Sequence, residues 1–233
     1  MNNQTLQIKL KQRLNKLASN DYDNIECWQI VEAFNKAQVE WVRRQLHGNN
    51  LYKEGDEMSK RRIDDLQLLL KEIPLTGSAK PTYFESTTIP ADYMEYKRIT
   101  AFATSKCCPD PRSMTVYLSE EANVDLILRD PLKRPDYEWG ETFCTWIDNK
   151  VRVYKREFDI TQVVLTYYRQ PVLIQIAGCQ NPYDGTATTV NVESEFKDDV
   201  VEVLLDETAS LIAGDIENFN QYQTNQQTAE RNN

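Results

Sequence analysis

Gln162-Val163-Val164-Leu165-Thr166-Tyr167-Tyr168-Arg169-Gln170-Pro171 is the stretch on which the fold turns. From Val163 to Tyr168 every side chain is aliphatic, β-branched or aromatic, which is the composition of a strand. Pro171 has no amide hydrogen to give a ladder, so it belongs at the strand end or on an edge. Upstream, residues 142–147 and 150–156 flank Asp148-Asn149, a hairpin signal in which Asn149 tolerates a positive φ. Residues 114–118 read as another strand. Residues 96–106 read as one more, with Tyr96, Arg98, Thr100, Phe102 and Thr104 on one face. Between 118 and 131, Ser119 caps a short helix carrying Val124, Leu126, Ile127 and Leu128, which stops before Asp130-Pro131. Tyr83-Phe84-Glu85 is strand-like, and Ile89-Pro90-Ala91-Asp92-Tyr93 reads as a strand end followed by a proline-started helical turn.

On both sides of this region the period becomes helical. Residues 175–193 form a loop rich in Gly, Pro, Asn and Thr. Ser194 then caps the longest helix, 194–219, with Phe196, Val200, Val203, Leu204, Leu211, Ile212, Ile216 and Phe219 at helical spacing. Toward the N-terminus, residues 5–18 carry Leu6, Leu10, Leu14 and Leu17. Residues 24–46 carry Ile25, Trp28, Val31, Phe34, Gln38, Val42 and Gln45, with Asp23 or Asn24 as cap and Gly48 as stop. Trp28 and Trp41 read as core residues. A third helix runs from Ser59 through Lys71 on Ile63, Leu66, Leu69 and Leu70, and Pro74, Gly77 and Pro81 end the helical region.

These elements predict an α+β fold. A helical bundle is built from the N-terminal helices (1–75) and the long C-terminal helix (194–219). A small, mainly antiparallel β-sheet subdomain (82–172) is inserted in the middle. Residues 220–233, rich in Gln and Asn with Tyr222 the one large apolar group, read as a flexible polar tail.

Composition narrows the function. The chain has 233 residues, 40% hydrophobic, with 36 acidic against 27 basic side chains and a formal charge of −9. Such a chain is a poor coat for nucleic acid, is repelled by anionic membranes, and has no apolar run long enough for a membrane helix. Met1-Asn2-Asn3-Gln4-Thr5 lacks a basic region followed by an apolar core, so a soluble protein made in a cytoplasm is expected. The five cysteines, Cys27, Cys107, Cys108, Cys144 and Cys179, are odd in number and irregularly spaced, and read as reduced thiols.

No site with catalytic, cofactor-binding or metal-binding residues emerges. Phosphate loops, H-E-x-x-H and G-x-S-x-G are absent. Asp64-Asp65, Glu120-Glu121 and Asp198-Asp199 are adjacent carboxylates that point about 100° apart on a helix, so they read as solvated faces or helix-dipole partners. Asp21-Tyr22-Asp23 lacks the glycine and terminal glutamate of a calcium loop. His47, the one histidine, sits at a helix C-terminus, where the negative dipole end suits a partly charged imidazole. Arg43-Arg44 and Lys60-Arg61-Arg62 are short basic clusters that could touch phosphate but better suit an acidic neighbouring subunit.

Four stretches resemble a known family. They are Arg62-Ile63-Asp64-Asp65-Leu66-Gln67-Leu68-Leu69, Ile89-Pro90-Ala91-Asp92-Tyr93, Arg129-Asp130-Pro131-Leu132-Lys133-Arg134-Pro135 and Leu165-Thr166-Tyr167-Tyr168-Arg169-Gln170-Pro171. In order, and with the late helix bearing Val200, Glu202, Leu204, Glu207 and Ile216-Glu217, they resemble the connector ring proteins of crAss-like tailed podoviruses. The resemblance spans about residues 25–222. It implies a virion protein without enzymatic activity or cofactor. It further implies a head-to-tail adaptor ring, usually a homododecamer, that joins the portal protein to other connector and tail rings. DNA would pass through its channel during genome ejection with at most weak, non-specific contact. The acidic charge suits a channel wall to which DNA does not stick. Neither the cysteines nor the basic clusters match the family. A non-viral assembly or adaptor protein using the same helical faces is the alternative. A hydrolase is a third reading, and the sequence offers no nucleophile and base for it.

Overall fold

The computed structural model describes residues 1–14, 25–47, 64–106, 108–180, 185–215 and 227. The chain divides into two compact units, one of residues 69–170 and one of residues 1–68 with 171–233.

An eight-stranded sheet dominates the first unit, so the expectation of a helical bundle with a small sheet insert is wrong. Its strands are β1 (Leu70–Leu75), β2 (Gly77–Ala79), β3 (Tyr83–Ser86), β4 (Tyr93–Ser105), β5 (Cys108–Leu118), β6 (Glu141–Ile147), β7 (Lys150–Tyr154) and β8 (Asp159–Arg169). The spatial order is β1-β8-β4-β5-β6-β7-β3-β2. All pairs are antiparallel except β5 with β6. A parallel pair needs a crossover. Residues 119–140 supply it, through a 3-10 turn (Glu121–Asn123), a short helix α3 (Val124–Arg129) and a long turn.

Two strands lie where the sequence predicts a helix and its terminators. Helical backbone at 64–66 tightens into a 3-10 turn (Gln67–Leu69), and the chain is extended from Leu70. Pro74 is tolerated in β1 because β1 is an edge strand. Gly77 starts β2 because a Cβ there would lie 2.2 Å from the Glu85 carbonyl oxygen. Since β1 and β2 occupy opposite edges yet are separated by Thr76 alone, the sheet must curl until its edges meet. The Thr87 amide donates to the Thr76 carbonyl there (2.7 Å). Pro109 and Pro111 likewise fit the start of β5, where β6 has not yet joined the ladder.

Other boundaries follow local chemistry. The hairpin turn has both Asp148 (φ 50°) and Asn149 (φ 54°) left-handed, as a two-residue turn between twisted strands requires. Residues 87–90 are not strand, and the Tyr93 amide bonds the Pro90 carbonyl across a tight turn (3.1 Å). Ser119 does not cap α3; it precedes an uncapped 3-10 turn. The core is filled by Ile99, Ala101 and Ala103 of β4, Met114 and Val116 of β5, Cys144, Val151 and Val153, and Val163, Leu165 and Tyr167 of β8. The predicted face of β4 is thus the opposite, less buried one.

The second unit is helical: α1 (Asn3–Leu14), α2 (Cys27–His47) and α4 (Asp198–Asp215). α4 packs against both α1 and α2. Leu6, Leu10 and Leu14 of α1, Phe34 and Val42 of α2, and Leu204 and Ala209 of α4 are fully or almost fully buried. Trp41 is buried edge-on against Phe196 (5.4 Å), whereas Trp28 is half-buried. α2, with 21 residues, is the longest described helix, and α4 starts at Asp198, four residues beyond its predicted cap. Ser194 instead accepts the Phe196 amide (3.4 Å). The predicted caps Asp23 and Asn24, Leu17, Gly48, Ser59, Ile63 and the tail residue Tyr222 lie outside the described residues.

Residues 171–180 and 185–197 are pinned to the helices. Asn35 behaves as a surrogate strand, donating to the Ile174 carbonyl (3.2 Å) and accepting the Ile174 amide (2.8 Å). Gln38 donates to the Val172 carbonyl (3.2 Å), and Asn3 to those of Gln175 (2.8 Å) and Val192 (3.2 Å). Cys27 and Cys179 form a disulfide (Cα–Cα 5.7 Å), which corrects the expectation that all five cysteines are reduced. Spacing could not reveal a pair 152 residues apart. Cys108 is an exposed thiol, and burial pushes the Cys144 thiol up to about 12.

Candidate functional site

Two of the three acidic pairs are spent on structure. Lys197 bonds Asp64 and lies 3.5 Å from Asp65, while Glu120 and Glu121 stay exposed. Asp198 and Asp199 occupy the first turn of α4, where its dipole favours negative charge. Glu202 and Asp206 pair with Lys9 and Arg13 of α1. Burial alone would raise the Glu202 carboxyl, but the bonds from Lys9 and Arg13 outweigh it and hold it below the usual range. Arg44 pairs with the buried Glu207, and Arg43 is exposed. His47 ends α2 on the surface. Asp21-Tyr22-Asp23 and Lys60-Arg61-Arg62 lie outside the described residues. Among the described residues no group of three or more His, Cys, Asp or Glu is placed to hold a metal ion.

What the sequence did not foretell is the surface. In the sheet unit Tyr117, Leu118, Leu126, Leu132 and Trp139 are each more than half exposed, all between residues 117 and 139. That is the end of β5 and the crossover to β6. Large apolar side chains left exposed on one connection make it the candidate contact surface of this unit. Periodicity conceals them, because Leu126 looks like the apolar stripe of a helix that α3 is too short to bury.

Each unit carries a cavity among the described residues. One, about 290 Å³, lies in the helical unit between Trp28, Val31 and Asn35 of α2 and residues 173–180. The other, about 400 Å³, lies in the sheet unit and is lined by Arg134, Asp136, Tyr137 and Glu138 of the crossover and by Arg156 and Phe158 of the β7–β8 turn. Arg134 Nε is buried there without a hydrogen-bond partner.

A third polar feature braces the sheet. Asp92 accepts from the Tyr167 hydroxyl (2.8 Å) and from Lys71 (3.0 Å), and these bonds hold its carboxyl below the usual range against the opposing effect of burial. Burial and the Asp92 hydrogen bond push the Tyr167 hydroxyl up to about 12. Tyr93 packs with tilted rings against Trp146 (5.1 Å) and Tyr167 (5.7 Å), and burial raises it also to about 12.

Neither a comparison with known protein families nor one with curated proteins finds a match to the sequence.

Proposed function

We propose that the chain is a structural, non-enzymatic subunit of a ring in the head-to-tail connector of a tailed phage particle. Copies of it would associate side by side beneath the portal protein and surround the path of the DNA. The reading rests on the ordered resemblance of the four stretches and the late helix to connector ring proteins. The structural observation that supports it is the exposure of Tyr117, Leu118, Leu126, Leu132 and Trp139 on one connection, because a side surface buried by an identical neighbour needs apolar area of this kind. The formal charge of −9 fits a wall past which DNA slides.

Electron microscopy of the purified full chain, alone and with a portal ring, tests the proposal. The expected result is closed rings with a single symmetry, twelve-fold by the resemblance. A chain that stays monomeric with the portal ring, or that converts a substrate to a defined product, overturns it. Open or paired assemblies without ring symmetry favour an adaptor of another kind.

A further inference from the structure

The turn between α3 and β6 is fixed more tightly than its exposure requires. Asp130 accepts the Leu132 amide on its side chain (2.9 Å) and the Lys133 and Arg134 amides on its carbonyl (3.2 and 3.0 Å). Asp136 accepts the amides of Glu138 (2.8 Å) and Trp139 (3.1 Å), and its backbone exchanges two bonds with Glu141 (3.0 and 3.2 Å). Arg112 donates to the carbonyls of Tyr137 (3.1 Å) and Glu138 (3.0 Å). A turn held this way presents its side chains before any partner arrives, so little ordering entropy is lost on contact.

It presents a distinctive set. Leu132 is 70% and Trp139 62% exposed. Arg134 lines the cavity of about 400 Å³ beside Tyr137 and Phe158, whose rings pack at 6.2 Å. Among the described residues its guanidinium forms no ion pair, and its buried Nε donates to nothing. A partly desolvated cation without a counter-charge is costly. The carboxylates nearby do not neutralise it. Asp136 is committed to backbone amides, Glu157 faces Arg156 at 3.5 Å, and Glu138 is exposed.

We propose that this cavity receives a carboxylate side chain from a second copy of the chain, seated on Arg134, while Leu132 and Trp139 pack on the apolar surface around it. The inference rests on the ring reading and names one of its contacts. A carboxylate fits because its two oxygens match the planar guanidinium fork. A run of phosphodiesters does not, because it would lay successive charges along Asp136, Glu138 and Glu157, which line the same cavity, whereas a single carboxylate brings one charge to Arg134. An exposed Trp on the same turn as this Arg matches the anchor residues of protein interfaces rather than a seat for a free small acid. A second copy is the matching partner: the chain has 36 carboxylates against 27 basic groups, and a head-to-tail ring contact joins two different surfaces of the same molecule.

Sedimentation of the purified full chain over the micromolar range tests this, with Arg134→Gln and Trp139→Ala as variants and thermal unfolding of dilute protein as the companion measurement. Each variant is expected to weaken self-association at least about tenfold. Arg134→Gln is expected to leave the dilute thermal midpoint unchanged or higher, since it removes an uncompensated charge. If Arg134→Gln associates like the wild type, this contact is wrong and the ring reading stands. A wild-type chain that remains monomeric removes both. Lost association together with a lowered midpoint assigns Arg134 to folding and overturns the proposal. So does binding of a duplex oligonucleotide by the wild type that Arg134→Gln abolishes, because the occupant is then phosphate.

Discussion

The two units hold themselves together by different means. The sheet unit relies on ladders and a continuous apolar interior; β8 pairs on both sides, and Val163, Leu165 and Tyr167 are fully buried. The helical unit also has an apolar seam, but among the described residues 171–180 and 185–197 belong to no regular element. Asn3, Asn35 and Gln38 satisfy their backbone, and a disulfide ties them down. Irregular backbone can therefore have its hydrogen bonds satisfied as a strand does, provided that helix side chains stand in for the missing neighbour.

Cutting one core residue in each unit should have the largest effect. Phe34→Ala in α2 should cost about 3–5 kcal/mol and Leu165→Ala in β8 about 2–5 kcal/mol, since both side chains are fully buried. Chemical denaturation with site-resolved hydrogen exchange checks this. Protection should fall first in the unit that carries the substitution, and equal loss in both would merge them into one cooperative body. Replacing Cys27 and Cys179 together by Ser should cost roughly 2–4 kcal/mol, with faster exchange confined to the helical unit. Unchanged exchange around residues 174–192 would show that the side-chain pins suffice.

Smaller effects separate the units further. Asn35→Ala orphans two backbone groups of Ile174, and Ser86→Ala orphans the Val151 amide in the sheet (2.9 Å). Each should cost about 1–3 kcal/mol in denaturant titrations. The sheet unit should also be the base-sensitive one. Tyr93 and Tyr167 rise from 10.0 to about 12 and Cys144 from 9.0 to about 12 on folding. Their contribution is intact below the unfolded values and is lost as pH climbs from about 9 to 12, because only the unfolded chain readily gives up those protons. Tyr167→Phe should flatten that slope, and an unaltered alkaline profile would count against it. Least of all should come from exposed pairs: Lys155→Ala, which breaks the 2.6 Å contact with Asp159, should cost under about 1 kcal/mol.

The elements readable from sequence were those whose signal is local. The Asp148-Asn149 turn, the strand before Pro171 and the stripes of α1 and α2 each carry their cause within a few residues. The extent of the sheet does not. β1 and β2 contain Pro74 and Gly77, which mean termination along the chain and tolerance at a sheet edge, and only the strand order decides which. The partnership of Cys27 with Cys179 and the exposure of Leu132 and Trp139 depend likewise on tertiary placement. Arg134 stood inside a quoted motif, but nothing in Arg129-Asp130-Pro131-Leu132-Lys133-Arg134-Pro135 tells a solvated arginine from one without a counter-charge.

The strand order also has a consequence for synthesis on the ribosome. Among the described residues β1 pairs with β8 alone, Leu70 opposite Tyr168, so its partner is translated nearly a hundred residues later. At roughly 5–20 residues per second that is a wait of about 5–20 s. Throughout it the nascent segment 70–75 has no strand to join, while identical segments emerge from neighbouring ribosomes on the same message. Lys71, Glu72 and Pro74 make it a poor template for them, because charge and a missing amide hydrogen discourage strand addition. The proline that looks like a helix terminator thus guards the first strand until the last one is made.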